Sequence, residues 1–206
     1  MLRQSPTVLA LGAAIVLAFV LLGQWAPEQN WASFEPFSVV PARLNPANVA
    51  FAGYAQALSP LFGHVFFHYG VPHLLMNGLA YVQAAPFVEQ RIGGLRFLIL
   101  FFVSALGGAL AYVLINPNSE TGAVGASGAI CGVFAAYFLA VRPTPQAAIA
   151  DPRIRNAMGS FLLVNVVLMA LLPLPIAWQA HLGGFLAGGA IYPLLSPPRD
   201  RVGPWG

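Results

Sequence analysis

Lysine is absent from this 206-residue chain, cysteine occurs once, and only six residues are acidic. Each scarcity excludes something. The lone Cys131 cannot close an intramolecular disulfide, so the redox compartment cannot be read from it. Charged residues make up 7% of the chain against 58% hydrophobic, and the mean hydropathy is +0.75, a balance that excludes an ordinary soluble globular domain. The carboxylates Glu28, Glu35, Glu89, Glu120, Asp151 and Asp200 all fall at loops or at the ends of apolar runs. That placement argues against a transporter or channel, which would string ionisable groups along a path through the membrane.

What the chain has instead is long apolar runs, near residues 7–25, 71–88, 97–115, 124–141, 158–172 and 177–195. Several approach the ~20 residues that cross a hydrocarbon core of ~30 Å. They predict an all-α, polytopic membrane protein, a bundle of six transmembrane helices forming a single domain over residues 1–206. No soluble domain is left over, so chemistry or binding falls to the bundle and its loops. Arg3 before the first run is compatible with a secretory signal, but the run exceeds the usual ~7–15 apolar residues and lacks a small-x-small cleavage site, which favours a retained span.

The net charge of +3 rests on arginine alone. If six spans alternate, Arg3, Arg91, Arg96, Arg142, Arg153, Arg155, Arg199 and Arg201 share one side and Arg43 stands on the other. The positive-inside rule makes the crowded side cytoplasmic, together with both termini. Because these arginines are divided among four short segments, a nucleic-acid-binding patch is disfavoured. The partner to expect is the lipid bilayer.

The long outer connection, about residues 26–69, carries Trp31, Phe34, Phe37, Phe51, Tyr54, Phe62, Phe66 and Phe67. A structureless loop of ~40 residues is unusual, so short helices packed at the membrane interface are expected there. Pro72 suits the first turn of the second span. Residues 116–122, Asn-Pro-Asn-Ser-Glu-Thr-Gly, read as a turn before the fourth.

With this topology spans two, four and six all run from outside to inside. At 1.5 Å per helical residue, Ser127 and His181 each lie ~10 Å below the outer loops and Asn77 shares that half of the membrane. Gly128 and Gly132 lie four apart on span four, as do Gly184 and Gly188 on span six. Such spacing opens a groove that lets helices approach closely in lipid, and His181 falls on the face of its groove. A serine hydroxyl is a weak nucleophile until a neighbouring base takes its proton, and neutral histidine is suited to that near pH 7. With no carboxylate at this depth, the arrangement reduces to a Ser127–His181 dyad.

Acyl transfer also needs donors for the developing oxyanion. His73 and Asn77, at i and i+4 on span two, can supply them beside the Ser127 amide. The bland alternative is interhelical hydrogen bonding without catalysis. His64 and His68 are four apart, like a zinc pair, but Val65 stands where a zincin needs glutamate, so no metal site is expected. Both are expected to hydrogen-bond loop backbone and fix the first loop over the site. Water should reach Ser127 through a cavity lined by the polar side chains of spans two, four and six.

These residues resemble a known family. Gly125-Ala126-Ser127-Gly128 matches the G-x-S-G element of the rhomboid intramembrane serine proteases. His64, His68, His73 and Asn77 resemble the family's second-helix element, His181-x-x-Gly184-x-x-x-Gly188 its sixth-helix element, and Glu89-Gln90-Arg91 its E-x-R. The resemblance implies a basic six-helix bacterial form in the plasma membrane, with Ser127 as nucleophile and His181 as general base. His73, Asn77 and the Ser127 amide would form the oxyanion site, with Gly125, Gly128, Gly184 and Gly188 as packing support. It also implies single-span membrane proteins as substrates, cut near the outer face, and no metal or organic cofactor. Span five and the apolar cap at residues 173–176 would form the gate. Two departures stand out. Many bacterial members have a tryptophan-arginine pair where this chain has Ser59-Pro60, and a tyrosine where it has Cys131.

Overall fold

The computed structural model describes residues 5–142, 144–171 and 177–196. Apart from one isolated bridge, the regular structure among them is helical. The first helix, α1 (Pro6–Leu21), opens on a proline whose missing N–H would have no partner there. Its own N-cap side chain makes no capping bond. The Glu89 carboxylate does the capping instead, accepting from Thr7 N at 3.0 Å and Val8 N at 2.8 Å. An acceptor and a negative charge at a helix N-terminus satisfy free amides and oppose the dipole.

The first loop contains the short helices α2 (Pro27–Phe34), α3 (Pro41–Leu44) and α4 (Tyr54–Gly63), with 3-10 turns at Glu35–Phe37 and His64–Phe66. Phe37 and Phe67 stack with ring centroids 4.6 Å apart. The long helices follow: α5 (Gly70–Ile92), α6 (Gly94–Ile115), α7 (Ser127–Ala140), the short α8 (Pro145–Ala150), α9 (Pro152–Leu171) and α10 (Trp178–Leu195). Of these α6 is long and apolar enough to cross a membrane, while α1 and α7 are apolar but shorter.

Helices α6, α7 and α10 form the centre, packed through glycine. A Cβ on Gly184 or Gly188 of α10 would run into the backbone of Gly128 or Gly132 of α7, and one on Gly108 of α6 would stand 2.7 Å from Ala180 O. The sequence pairs α7 with α10; α6 joins them through Gly107 and Gly108. Around this centre Phe97, Leu100, Phe101, Val88, Ala129, Val133 and Ala136 are fully buried. On α9, Phe161 stacks on Phe134 of α7 at 4.4 Å and on Phe185 of α10 at 6.1 Å.

One boundary changes the argument about the site. The run read as a span over 124–141 is helical only from Ser127, and 120–126 is an irregular approach with a bridge at Ala123 and a bend at 125–126. The 14 residues of α7 rise ~21 Å, less than a hydrocarbon core. Irregular backbone at such depth must find partners inside the protein. The first loop provides them: Val39 pairs with Ala123 in both directions, at 2.9 and 3.0 Å, Ala42 N donates to Ser119 O, and Gly125 N donates to His64 O at 2.9 Å. The level of Ser127 is therefore set by a non-helical segment clasped by the first loop, and helical rise from Glu120 does not apply. At the other end of the chain's first run, α1 stops at Leu21 and residues 22–25 form turns.

Candidate active site

Ser127 is the first residue of α7, so its amide is one of the free N–H groups at the positive end of that helix. On α10, His181 follows the helix start by one turn. The glycine contacts bring the two helices together at this level, and His181 Nε2 stands 2.7 Å from Ser127 Oγ. With Nε2 facing a hydroxyl, the ring can accept the serine proton if Nδ1 carries its own hydrogen. His181 Nδ1 is buried and has no hydrogen-bond partner. Among the described residues no carboxylate bonds to the ring.

The second half of the site comes from α5. Gly70 takes a positive φ of +84°, and the tight turn it makes closes with Gly70 N donating to His68 O at 3.0 Å. The turn aims Tyr69 N at His73 Nδ1, 3.2 Å away. A ring nitrogen that accepts carries no hydrogen, so the His73 proton resides on Nε2. That edge faces the strand before α7. A Cβ built on Gly125, whose φ is +126°, would lie 2.9 Å from His73 Nε2 and 3.8 Å from Ser127 Oγ. Glycine is required here both for the backbone angle and for the approach of the imidazole.

Asn77, one turn further along α5, is buried; its Nδ2 donates to His73 O at 3.0 Å, while Oδ1 has no partner. The carbonyl of His73 fixes which way round the amide sits, leaving the second N–H of Nδ2 free. His73 Nε2 and the Ser127 amide thus lie beside Gly125, and Asn77 Nδ2 stands one turn along α5 against the His73 carbonyl.

His64 behaves as the sequence suggests. Its Nδ1 donates to Pro60 O at 2.8 Å, its carbonyl accepts from Gly125, and burial lowers its pKa to about 4, so the ring stays neutral. His68 departs from expectation. It is fully buried, both ring nitrogens lack partners, and only its backbone amide is engaged, by Gln24 Oε1 at 2.6 Å. Its ring instead meets His73 edge to face, with centroids 5.1 Å apart.

A cavity of about 380 Å³ lies between α1, α5 and the start of α7, lined largely by apolar side chains such as Val8, Ile15 and Leu74, and touched by Asn77 and His68. Cys131, one turn after Ser127, is buried with Ala135, Phe138 and Phe185. The proposed cap at 173–176 lies outside the described residues, as do Arg3, Arg199 and Arg201.

Several supporting residues had no signal in the sequence. Gln24 and the capping role of Glu89 act across 44 and about 80 residues of chain. No periodicity marks such pairs. The positive φ of Gly125 was hidden within a motif whose glycine could be read as mere spacing.

Comparison with known proteins bears on this arrangement. A family model described as the Rhomboid domain matches residues 55–198, which include the dyad and the whole histidine segment. RHOMBOID-like protein 5 of Arabidopsis thaliana is 31% identical over 144 residues, 68% of this chain and 45% of its own length. YdcA, a rhomboid of Bacillus subtilis, is 32% identical over 137 residues, 66% of this chain and 67% of its own. Rhomboid-like protease 3 of Toxoplasma gondii is 26% identical over 133 residues, 62% of this chain and 48% of its own. The chain thus spans about half the length of two of these relatives and two thirds of the third. Carrying the family's domain over most of its length, the chain belongs to the rhomboid family of integral membrane proteins.

Proposed function

We propose that this chain is a serine endopeptidase that cleaves transmembrane segments of membrane proteins near the outer face of the bilayer. The observation that carries the reading is the 2.7 Å contact between His181 Nε2 and Ser127 Oγ, with His73 Nε2 beside the neighbouring Gly125. As Ser127 Oγ attacks the scissile carbonyl carbon, its proton passes to His181 Nε2. The carbonyl oxygen becomes the oxyanion, received by the Ser127 amide, His73 Nε2–H and Asn77 Nδ2–H. His181 then gives the proton to the leaving amine and the peptide C–N bond breaks. Water repeats the sequence on the acyl-enzyme, losing a proton to His181, and the serine is regenerated.

Six spans with both termini cytoplasmic, in the plasma membrane of a bacterium, complete the proposal; the arginine distribution supports the orientation. The test compares wild type, Ser127→Ala and His181→Ala for labelling by a fluorophosphonate probe and for cleavage of a model transmembrane substrate. Labelling and cleavage in wild type alone are expected. If wild type does neither, the protease reading fails and a catalytically silent rhomboid-like binder of transmembrane helices takes its place. Removing one oxyanion donor typically costs ~10²–10³ in kcat, so His73→Ala and Asn77→Ala with unchanged rates would remove them from the site.

A further inference from the structure

Gln24 lies beyond the C-terminus of α1 and outside residues 55–198, yet it is fully buried and bonded to the segment that carries the oxyanion histidine. Its Nε2 donates to Ala18 O at 3.1 Å and to Phe66 O at 3.4 Å. With the amide nitrogen held between two carbonyls, Oε1 can only face the other way, where it accepts from His68 N at 2.6 Å. His68 N begins the turn whose later members are Gly70 N to His68 O and Tyr69 N to His73 Nδ1. The last of these bonds decides which nitrogen of His73 holds the proton.

From this relay we infer that Gln24 is a positioning residue for catalysis, fixing through the His68–Gly70 turn the tautomer and aim of His73. The inference rests on the proposed oxyanion role of His73, while its physical core, the tautomer, does not. Without the side-chain acceptor the buried His68 amide is unpaired, and the turn is free to rotate the Tyr69 amide away from His73. The ring then samples both tautomers. In the one with hydrogen on Nδ1, Nε2 presents a lone pair to an oxyanion and repels it.

The relay also accounts for a glutamine at this place. Asparagine is one methylene shorter and cannot hold two carbonyls on one side and an amide on the other. Glutamate keeps the acceptor for His68 N but loses the donors to Ala18 O and Phe66 O.

The experiment compares wild type with Gln24→Leu and Gln24→Glu in the full chain, in detergent micelles. Two readouts are taken: the 15N shifts of the His73 ring, and kcat and KM for a model transmembrane substrate. Wild type should show an acceptor-type Nδ1 and a protonated Nε2. Gln24→Leu should show a tautomer mixture and a kcat lowered about 10²-fold, the loss expected from a displacement of ~1 Å at the reacting groups, with KM unchanged. Gln24→Glu, which retains the acceptor, should keep the wild-type ring signal and recover most of the rate. A folded Gln24→Leu protein with the wild-type His73 signal overturns the inference, as does a Gln24→Glu protein that loses the signal while Gln24→Leu keeps it. If Gln24→Leu does not fold, Gln24→Met, which also lacks the acceptor for His68 N, takes its place with the same expected and overturning results. A wild-type enzyme that is inactive but shows the expected tautomer shift between variants would refute the protease reading and leave the positioning intact.

Discussion

Replacing Gly184 by alanine tests whether the close approach of α7 and α10 sets the dyad. A Cβ at Gly184 would overlap the Gly128 carbonyl oxygen outright and stand 2.6 Å from its carbon and 3.0 Å from Gly128 Cα. Carbon atoms in contact rest about 3.5–4.0 Å apart, so the two helices must separate by about 1 Å at this level. Gly184 is three residues after His181, and Gly128 follows Ser127 directly. The separation is therefore felt at the dyad with little attenuation. A Ser127–His181 contact of 2.7 Å lengthens past the distance at which it is still a hydrogen bond.

A misplacement of that size costs about 10²-fold in rate, or about 2.7 kcal/mol in barrier. Overpacking costs a further ~1–3 kcal/mol of stability, so the rate must be taken well below the melting temperature and per folded molecule. The assay is the rate of fluorophosphonate labelling, with circular dichroism as the folding check. Gly159→Ala on α9 is the control, because a Cβ there meets nothing within 4 Å. If folded Gly184→Ala is labelled within about threefold of wild type, the reasoning that backbone contact sets the dyad is wrong.

Four other outcomes are expected. Gly125→Ala places a methyl against His73 at a φ of +126°; it should lose about 1–3 kcal/mol of stability and about 10²-fold in kcat, read by thermal unfolding and substrate cleavage. Glu89→Ala removes the acceptor for Thr7 N and Val8 N and should lower stability by about 1–2 kcal/mol, with a smaller effect on kcat than on melting. Cys131 is buried in an apolar cluster, so maleimide should modify it only after unfolding, followed by mass spectrometry across a denaturant series. The hydrogen bond from Arg142, and next the Arg153 amide, hold the Asp151 carboxyl below its usual range. The contribution of that depressed carboxyl is present above its unfolded value near pH 4 and fades as pH falls through the folded one, so Asp151→Asn should be less stable than wild type at neutral pH and should match it in acid.

The candidate site residues were legible in the chain because each violates its surroundings. Ser127, His181, His73 and Asn77 are polar groups in apolar runs, and the four-residue spacing of Gly128 with Gly132 and of Gly184 with Gly188 announces close helix contact. What was not legible is how their positions are fixed. Helical rise from Glu120 gave Ser127 a depth, but residues 120–126 are not helical. A sequence of small residues, Gly122-Ala123-Val124-Gly125-Ala126, suits a membrane helix by hydropathy. Pairing of Val39 with Ala123 and of Gly125 with His64 prevails, because these partners satisfy the backbone that a helix would otherwise have to satisfy itself. Such pairing joins residues tens of positions apart and leaves no periodic trace. The same holds for Gly107 and Gly108, which look like any small residues of a membrane helix until α10 is laid against them.

The site is assembled from two bodies, and this explains where its vulnerable points lie. Ser127 and His181 ride on α7 and α10, whose glycine contacts leave no room for adjustment. His73 and Asn77 ride on α5, which is held to α1 at the Glu89 end and, through the turn at Gly70, to Gln24 at the other. The two bodies pack along a shared apolar core, Tyr81 of α5 against Phe97 and Phe101 of α6 and Phe87 against Tyr137 of α7, and at Gly125 the amide donates to His64 O while the His73 ring lies over the α-carbon. If Ser127 and His181 act as proposed, a change inside the α7–α10 contact disturbs the proton transfer itself. A change at Gln24 is then expected to leave that pair bonded and to act on the proposed oxyanion donors alone. Loss of kcat with an intact Ser127–His181 hydrogen bond is therefore the outcome that separates damage at Gln24 from damage at the glycine contacts.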